Sequence, residues 1–149
     1  MRDLVIERCA TLPDGFSELV QSGSDEGFSF MPRLERAWQS GENRFDRAGE
    51  SLLCARVDSK LVGVCGLNVD PFAGDPGVGR VRHLYVSPEF RRRGVGTRLA
   101  SEIVSLAKEN FAFLRLRTEQ AASFYERLGF ERCEDPDATH VMKLDSWSP

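Results

Sequence analysis

The chain has 149 residues, 41% of them hydrophobic and 29% charged, and a formal net charge of −3. That size suits one domain around one core, and the acidic balance argues against a nucleic-acid binder, which carries a basic face. No run near eighteen apolar residues occurs and the apolar stretch after Met1 is too short for a secretory signal, so no membrane contact is expected and the cytoplasm is the expected location.

Leu4 to Cys9 reads as a first strand, and Thr11-Leu12-Pro13-Asp14-Gly15 leads into a helix from about Phe16 to Gln21. Residues 22–27, rich in Ser, Gly and Asp, read as a loop. Phe28-Ser29-Phe30-Met31 then opens a second helix through Leu34, Ala37 and Trp38, with Gly41 as its stop. Two of the three large apolar side chains in that opening are expected to anchor the helix, and one to line a pocket; Phe28 is the candidate substrate contact.

Glu50–Val57 and Leu61–Val69 form the clearest hairpin, with Asp58-Ser59 as its turn. A Pro/Gly loop from Asp70 to Gly77 delivers the chain to a strand over Val81–Val86, which Ser87-Pro88-Glu89 ends. Val95, Leu99, Ile103, Leu106 and Ala107 recur at helical spacing up to Glu109. Phe111–Arg117 is a further strand, Glu119–Leu128 a short helix closed by Gly129 with Phe130 behind it, and Glu131–Cys133 and Thr139–Leu144 are the closing strands. This mixed order suggests an α/β (α+β) fold, a largely antiparallel central sheet with helices on both faces. One domain is expected over 1–149, with 145–149 as a short tail. Cys9, Cys54, Cys65 and Cys133 show no C-x-x-C spacing and read as small buried thiols, Cys54 and Cys65 lying near each other across the hairpin; no metal is expected.

The chemistry is concentrated between Arg80 and Glu109. Strand, basic turn and helix follow one another there, with Arg91, Arg92, Arg93, Gly94, Val95, Gly96 and Thr97 at the junction. The first turn of a helix leaves backbone N–H groups unpaired at the positive end of the macrodipole. Glycines at 94 and 96 clear side chains from those amides, and the arginines add charge, which describes a pyrophosphate site. A P-loop is excluded because no Lys-Ser/Thr pair follows Gly96. A dinucleotide fingerprint is excluded because position 99 is leucine.

Arg91-x-x-Gly94-x-Gly96 resembles the acyl-CoA signature of the GNAT superfamily of N-acyltransferases, and Ala121 to Phe130, with Tyr125 followed by Gly129-Phe130, resembles its second hallmark. The resemblance spans Leu4 to Leu144. It implies a GNAT-like sheet of about seven strands whose central strands splay apart to admit acetyl-CoA. It further implies that the backbone of Leu84, Tyr85 and Val86 binds pantetheine and the acetyl carbonyl, that the turn from Arg91 to Thr97 holds the pyrophosphate, and that Tyr125 is the general acid. Thr118 stands where the family often has Asn. Relatives with a side-chain base carry Glu or His at positions matching 80 or 82, where this chain has Arg80 and Arg82. These arginines are candidate contacts for an acceptor bearing a carboxylate or phosphate, with pairing to Asp70 or Asp75 as the alternative. His83 should point away from their face by strand alternation, which puts 80, 82 and 84 together, unless a bulge intervenes.

The implied activity is acetyl transfer from acetyl-CoA to a primary amine, on a small molecule or peptide, by direct attack in a ternary complex. A second reading is an acyl-CoA sensor of the same fold without turnover. The sequence leaves a homodimer open.

Overall fold

In the computed structural model, which describes residues 3–144, the alternating segments become seven strands and the periodic ones four helices. In chain order these are β1 (Leu4–Arg8), α1 (Phe16–Asp25), α2 (Phe30–Ser40), β2 (Ser51–Val57), β3 (Lys60–Val69), β4 (Val78–Val86), a 3-10 turn at Pro88–Phe90, α3 (Val95–Lys108), β5 (Phe113–Leu116), α4 (Ala122–Arg127), β6 (Glu131–Asp135) and β7 (Ala138–Lys143). They form a seven-stranded sheet in the order β1-β2-β3-β4-β5-β7-β6. Only β4 and β5 run parallel; every other neighbouring pair is antiparallel. The expected tail at 145–149 lies outside the described residues.

The central strands are buried on both faces, and successive residues join one or the other of two core clusters. Leu53, Cys65, Leu67 and Val81 meet Val95, Leu99, Ile103 and Ala107 of α3, with Tyr125 and Phe130 beside them. Leu52, Cys54, Val64 and Tyr85 meet Phe16, Leu19 and Val20 of α1 and Met31, Leu34 and Trp38 of α2. The stretch expected to loop at 22–27 is helical through Asp25. Its poor intrinsic propensity is overridden by packing: a Cβ on Gly23 would lie 2.7 Å from Met31 Cγ, so glycine is what lets α1 and α2 approach. Asp58 and Ser59 both take left-handed φ (50° and 70°), as a two-residue hairpin turn of the primed type requires.

The cysteines depart from expectation. Cys54 pairs in register with Val64 and Cys65 with Leu53, so the two side chains leave opposite faces of the hairpin. Cys54 is instead joined to Cys9, just past the end of β1, as a disulfide across 45 residues; Cys65 and Cys133 are free.

What shapes the centre of the sheet is a short join. β4 and β5 are in register only at Val78/Phe113, Gly79/Leu114 and Arg80/Arg115. Beyond Arg80, β4 continues to Val86 with no partner on its β5 side, so the strands part. The last paired rung carries two arginines that share one carboxylate: Asp70 Oδ2 is 3.2 Å from Arg80 Nη1 and 2.9 Å from Arg115 Nε. Arg80 also donates to the Asp137 carbonyl at 2.7 Å, and Arg115 to Asp135 at 3.0 Å, which fastens the β6–β7 turn to the same point. Burial on its own would raise the Asp70 carboxyl; hydrogen bonds from Arg115 and the Phe72 amide, with the charges of both arginines, outweigh it and hold the group below the usual carboxylate range.

Removing that carboxylate leaves the buried Arg80 guanidinium without a counterion and Arg115 with Asp135 alone. Asp70→Asn is expected to lower unfolding free energy by about 3–5 kcal/mol at pH 7, measured by urea denaturation. Because the folded-state pKa is depressed, the stabilisation is complete above the unfolded value of about 3.9 and is lost as pH falls through the lower folded value. The gap between wild type and variant should therefore be constant from about pH 5 to 7 and narrow below about pH 4.

Candidate functional site

The parting of β4 from β5 opens a cleft of about 1520 Å³, bounded by α2, β4 and the 117–121 segment that enters α4, and lined on the way by Leu84 and Tyr125. The cleft reaches Arg91, in the segment where the chain has left β4 and made the 3-10 turn and is about to enter α3. Gly94 caps the helix at φ 82°, with no side chain bonded to the exposed amides of the first turn. Arg98 N–H to Gly94 O, 3.0 Å, is the first bond of the ladder, so the amides of Val95, Gly96 and Thr97 face outward unsatisfied. A Cβ on Gly94 would meet nothing within 4 Å, and one on Gly96 only Val86 and Phe124 at 3.7–3.9 Å. Backbone and dipole there suit an anion. Ser87 Oγ, buried at the foot of the turn, has no partner among the described residues.

The three arginines of the turn are not equivalent. Arg92 sits at φ 62° and is exposed, and Arg93 is exposed over the Phe90 ring. Arg91 is committed: it grips Glu26 with both Nη atoms at 2.8 and 2.6 Å, and its Nε donates to the Val86 carbonyl at 3.0 Å. Tyr85 OH donates to the same Glu26 at 2.5 Å and lies 2.7 Å from Ser22 Oγ. The hydrogen bonds from Arg91, against the opposing effect of burial, hold Glu26 below the ordinary carboxylate range. The charge expected of Arg91 is thus neutralised by a residue of the α1–α2 connection.

The strand alternation expected for residues 80–84 is broken. Gly66 pairs with Arg82 and Val64 with Tyr85, so His83 and Leu84 together oppose Cys65 in a bulge. His83 takes φ 59°. Leu84 packs toward α3, whereas His83 turns to the α2 side, stacked on Phe30 at 5.9 Å and edge-on to Phe45 at 6.2 Å. The expectation that His83 points away from Arg80 and Arg82 while Leu84 joins them is therefore reversed. Phe45 has room because a Cβ on Gly66 would lie 2.6 Å from its ring. Burial, then the charges of Arg82 and Arg33, push the His83 imidazole down to about 3, so it is neutral at physiological pH.

Arg80 takes the paired alternative: it is 6% exposed, its charge is met by Asp70 and a second nitrogen donates to the Asp137 carbonyl. Arg82, half-buried in the cleft wall, has no ion-pair partner among the described residues, and burial followed by the charge of Arg80 lowers its pKa. Phe28 lines the cleft, 5.5 Å from Phe30 and edge-on to Tyr85 at 5.9 Å. Phe30 lines it too, so Met31, fully buried, is the only one of the three confined to the core. Thr118 Oγ1 accepts the Ala121 N–H at 3.0 Å, which starts α4, and its own hydroxyl proton remains for the cleft it lines.

Tyr125 comes from α4, wedged edge-on against Phe124 and Phe130 at 5.0 and 5.7 Å. It is 7% exposed, yet borders the cleft, and its hydroxyl has no hydrogen-bond partner among the described residues. Burial pushes the phenol well up, so it stays protonated. Sequence reasoning missed Glu26, Arg33, Phe45 and Asn68. Arg33 was within reach, since it lies three residues after Phe30 on the side of α2 opposite Met31, Leu34 and Trp38. No group of His, Cys, Asp and Glu among the described residues could hold a metal ion, and no described helix is long and apolar enough to cross a membrane.

A candidate acetyltransferase from Exiguobacterium sp. 255-15 has a crystal structure that matches with a TM-score of 0.86 at 33% identity, over 95% of this chain and 93% of that one. An Escherichia coli GNAT family N-acetyltransferase, solved in complex with CoA, shares the fold at a TM-score of 0.70 and 18% identity, over 96% of this chain and 82% of that one. Glucosamine 6-phosphate N-acetyltransferase of Trypanosoma brucei brucei is 29% identical over 105 residues, 66% of this chain and 68% of its own. Two further curated relatives are longer, and the chain spans 31% and 42% of their length. The model of the acetyltransferase (GNAT) family matches residues 16–130, and the chain belongs to that family.

Proposed function

We propose that the protein transfers the acetyl group of acetyl-CoA to a primary amine by direct attack in a ternary complex. The observation that carries this reading is one cleft lined by Leu84 of the unpaired β4 edge and by a protonated Tyr125, which reaches Arg91 of the turn that leads into the uncapped α3 N-terminus. The amides of Val95, Gly96 and Thr97, with Arg92 and Arg93 beside them, would hold the pyrophosphate. The unpaired edge at Leu84, Tyr85 and Val86 offers backbone donors and acceptors to the pantetheine arm, and a backbone N–H there would polarise the acetyl carbonyl. Thr118 supplies a further hydroxyl. Arg91 contributes by fixing Val86 and Glu26 rather than as free charge.

Acetyl-CoA, when bound, supplies the acetyl thioester. Tyr125 donates its phenolic proton to the sulfur as the C–S bond breaks; the same burial that raises the phenol also disfavours a free thiolate, so protonation accompanies departure. The cationic cleft lowers the pKa of an acceptor ammonium, and water takes its proton. At about 3, His83 is too weak a base at neutral pH to be assigned that role. Holding both reactants in one cleft supplies orientation, which accounts for much of the acceleration in such reactions. The phosphate-bearing amine named for the trypanosomal relative supports an acceptor that is a small amine. Thiol release over an amine panel tests the reading, and binding without turnover of any amine would favour the sensor alternative.

Gly96 is the cleaner probe of donor binding, because Gly94 sits at positive φ and any side chain there is strained. Gly96→Val should keep the fold and raise the acetyl-CoA dissociation constant by roughly tenfold or more in calorimetry; unchanged affinity would contradict the assignment of the α3 turn. Tyr125→Phe should lower kcat by about 10²–10⁴-fold with donor affinity nearly intact. Near-wild-type turnover, with chemistry shown to limit the rate, would make Tyr125 a core aromatic only.

A further inference from the structure

Arg82 stands apart from the other arginines that leave the sheet. Arg80 and Arg115 share Asp70, and Arg56 pairs with Glu7. Arg82 is half-buried, pushed down by burial and by Arg80, and has no carboxylate among the described residues. Its nearest acid, Asp70, already serves two guanidiniums. A desolvated charge without a counterion is costly, and side chains are not normally held so unless a ligand completes them.

The surroundings point the same way. Arg33 approaches from α2 closely enough that its charge acts on both Arg82 and His83. Of the seven arginines that line the cleft, Arg47, Arg80, Arg91 and Arg117 pair with Glu50, Asp70, Glu26 and Glu119, which leaves Arg33, Arg36 and Arg82 without an ion-pair partner among the described residues. Asn68, opposite Arg80 in the β3–β4 register and 5% exposed, borders the cleft with its Oδ1 bonded to nothing among the described residues. A buried amide oxygen of this kind calls for a donor, which an ordered water supplies in the free protein and an N–H or O–H of a ligand in the complex. This pole of the cleft lies on the α2 side of β4, before the bulge, whereas the α3 turn follows the end of that strand.

We propose that the amine acceptor carries an anionic group, a carboxylate or a phosphate, bound between Arg82 of β4 and Arg33 of α2, with Asn68 receiving a hydrogen-bond donor from the acceptor's body. The inference rests on the acetyltransferase reading for the word acceptor, but the anion site stands on its own residues. Planar guanidiniums from two elements grip either oxyanion by paired, charge-assisted hydrogen bonds. The site selects against polyamines and other purely cationic amines, because they would face Arg33 and Arg82 with like charge. Carboxylate and phosphate share this chemistry, and a panel with both resolves them.

His83 supplies a readout independent of turnover. It is one of two histidines in the chain, packed by Phe30 of α2 and Phe45, and charged neighbours act on it through Arg82 of β4 and Arg33 of α2. Burial depresses it most and the charges of Arg82 and Arg33 add to that, so an anion between those arginines is expected to raise its pKa by cancelling the charges. The experiment has two arms, both on the full chain with CoA or acetyl-CoA saturating so that the α3 turn is occupied. In the first, NMR follows the His83 ring, assigned against His83→Gln, while inorganic phosphate is added; its titration should move upward in wild type, and the movement should be lost in Arg82→Gln. In the second, amines are compared in pairs with and without their carboxylate or phosphate. The charged member should have a kcat/KM higher by roughly ten- to hundredfold, a ratio that falls toward one in Arg82→Gln and in Arg33→Gln. Arg33 lies on an exposed helix face, so its variant remains informative should the Arg82 variant fail to fold. A ratio near one in wild type, or one that both variants leave unchanged, overturns the inference and leaves acetyl transfer standing. Absence of thiol release with every amine overturns the transferase reading, and the phosphate titration of His83 then decides the anion site by itself.

Discussion

Three ladder pairs and one shared carboxylate hold the middle of this molecule together. β4 and β5 touch only at 78–80 and 113–115, and Asp70 ties the last of those rungs, Arg80 and Arg115, to each other. A parallel pair so short has little intrinsic stability. The buried ion cluster fixes where it ends, because Arg80 also reaches the β6–β7 turn. Past that point the strands diverge, and the divergence is the cleft. The cleft wall and the unpaired β4 edge follow from a boundary set by one aspartate.

The bulge at His83–Leu84 is the second determinant. An uninterrupted strand would send Leu84 toward α2 with Arg82, and His83 toward α3. Inserting one residue opposite Cys65 sends Leu84 into the α3 core and turns Tyr85 toward α1, where its hydroxyl meets Glu26. Glu26 in turn holds Arg91 in the turn that leads into α3. One local irregularity thereby links the strand, the α1–α2 connection and the α3 entrance through hydrogen bonds of 2.5–2.8 Å.

Most of this frame was legible in the sequence because it rests on local pattern: the stripe Val95, Leu99, Ile103 names the buried face of α3, and the apolar runs on either side of Asp58-Ser59 mark the β2–β3 hairpin. The strand-turn-helix order with Gly94 and Gly96 pointed to the α3 turn for the same reason, since local backbone chemistry suffices there. What was hidden depends on long-range placement. Gly23 reads as a loop residue until Met31 is seen against it. Arg80 and Arg82 look alike in sequence, and only the fold gives one of them Asp70 and leaves the other alone. The Cys9–Cys54 pairing arises from the β1–β2 register, which no spacing of cysteines encodes. A bulge has no signal in a run such as Val81-Arg82-His83-Leu84-Tyr85, and so the faces of 83 and 84 were assigned the wrong way round.

The central claim is that the end of β4 and the first turn of α3 form the donor site. Backbone amide shifts in a ¹⁵N-labelled sample titrated with acetyl-CoA test it most directly. The account predicts that Leu84 to Val86 and Gly94 to Thr97 show the largest, saturable perturbations. Perturbations centred elsewhere, with those amides unmoved at saturation, would contradict it.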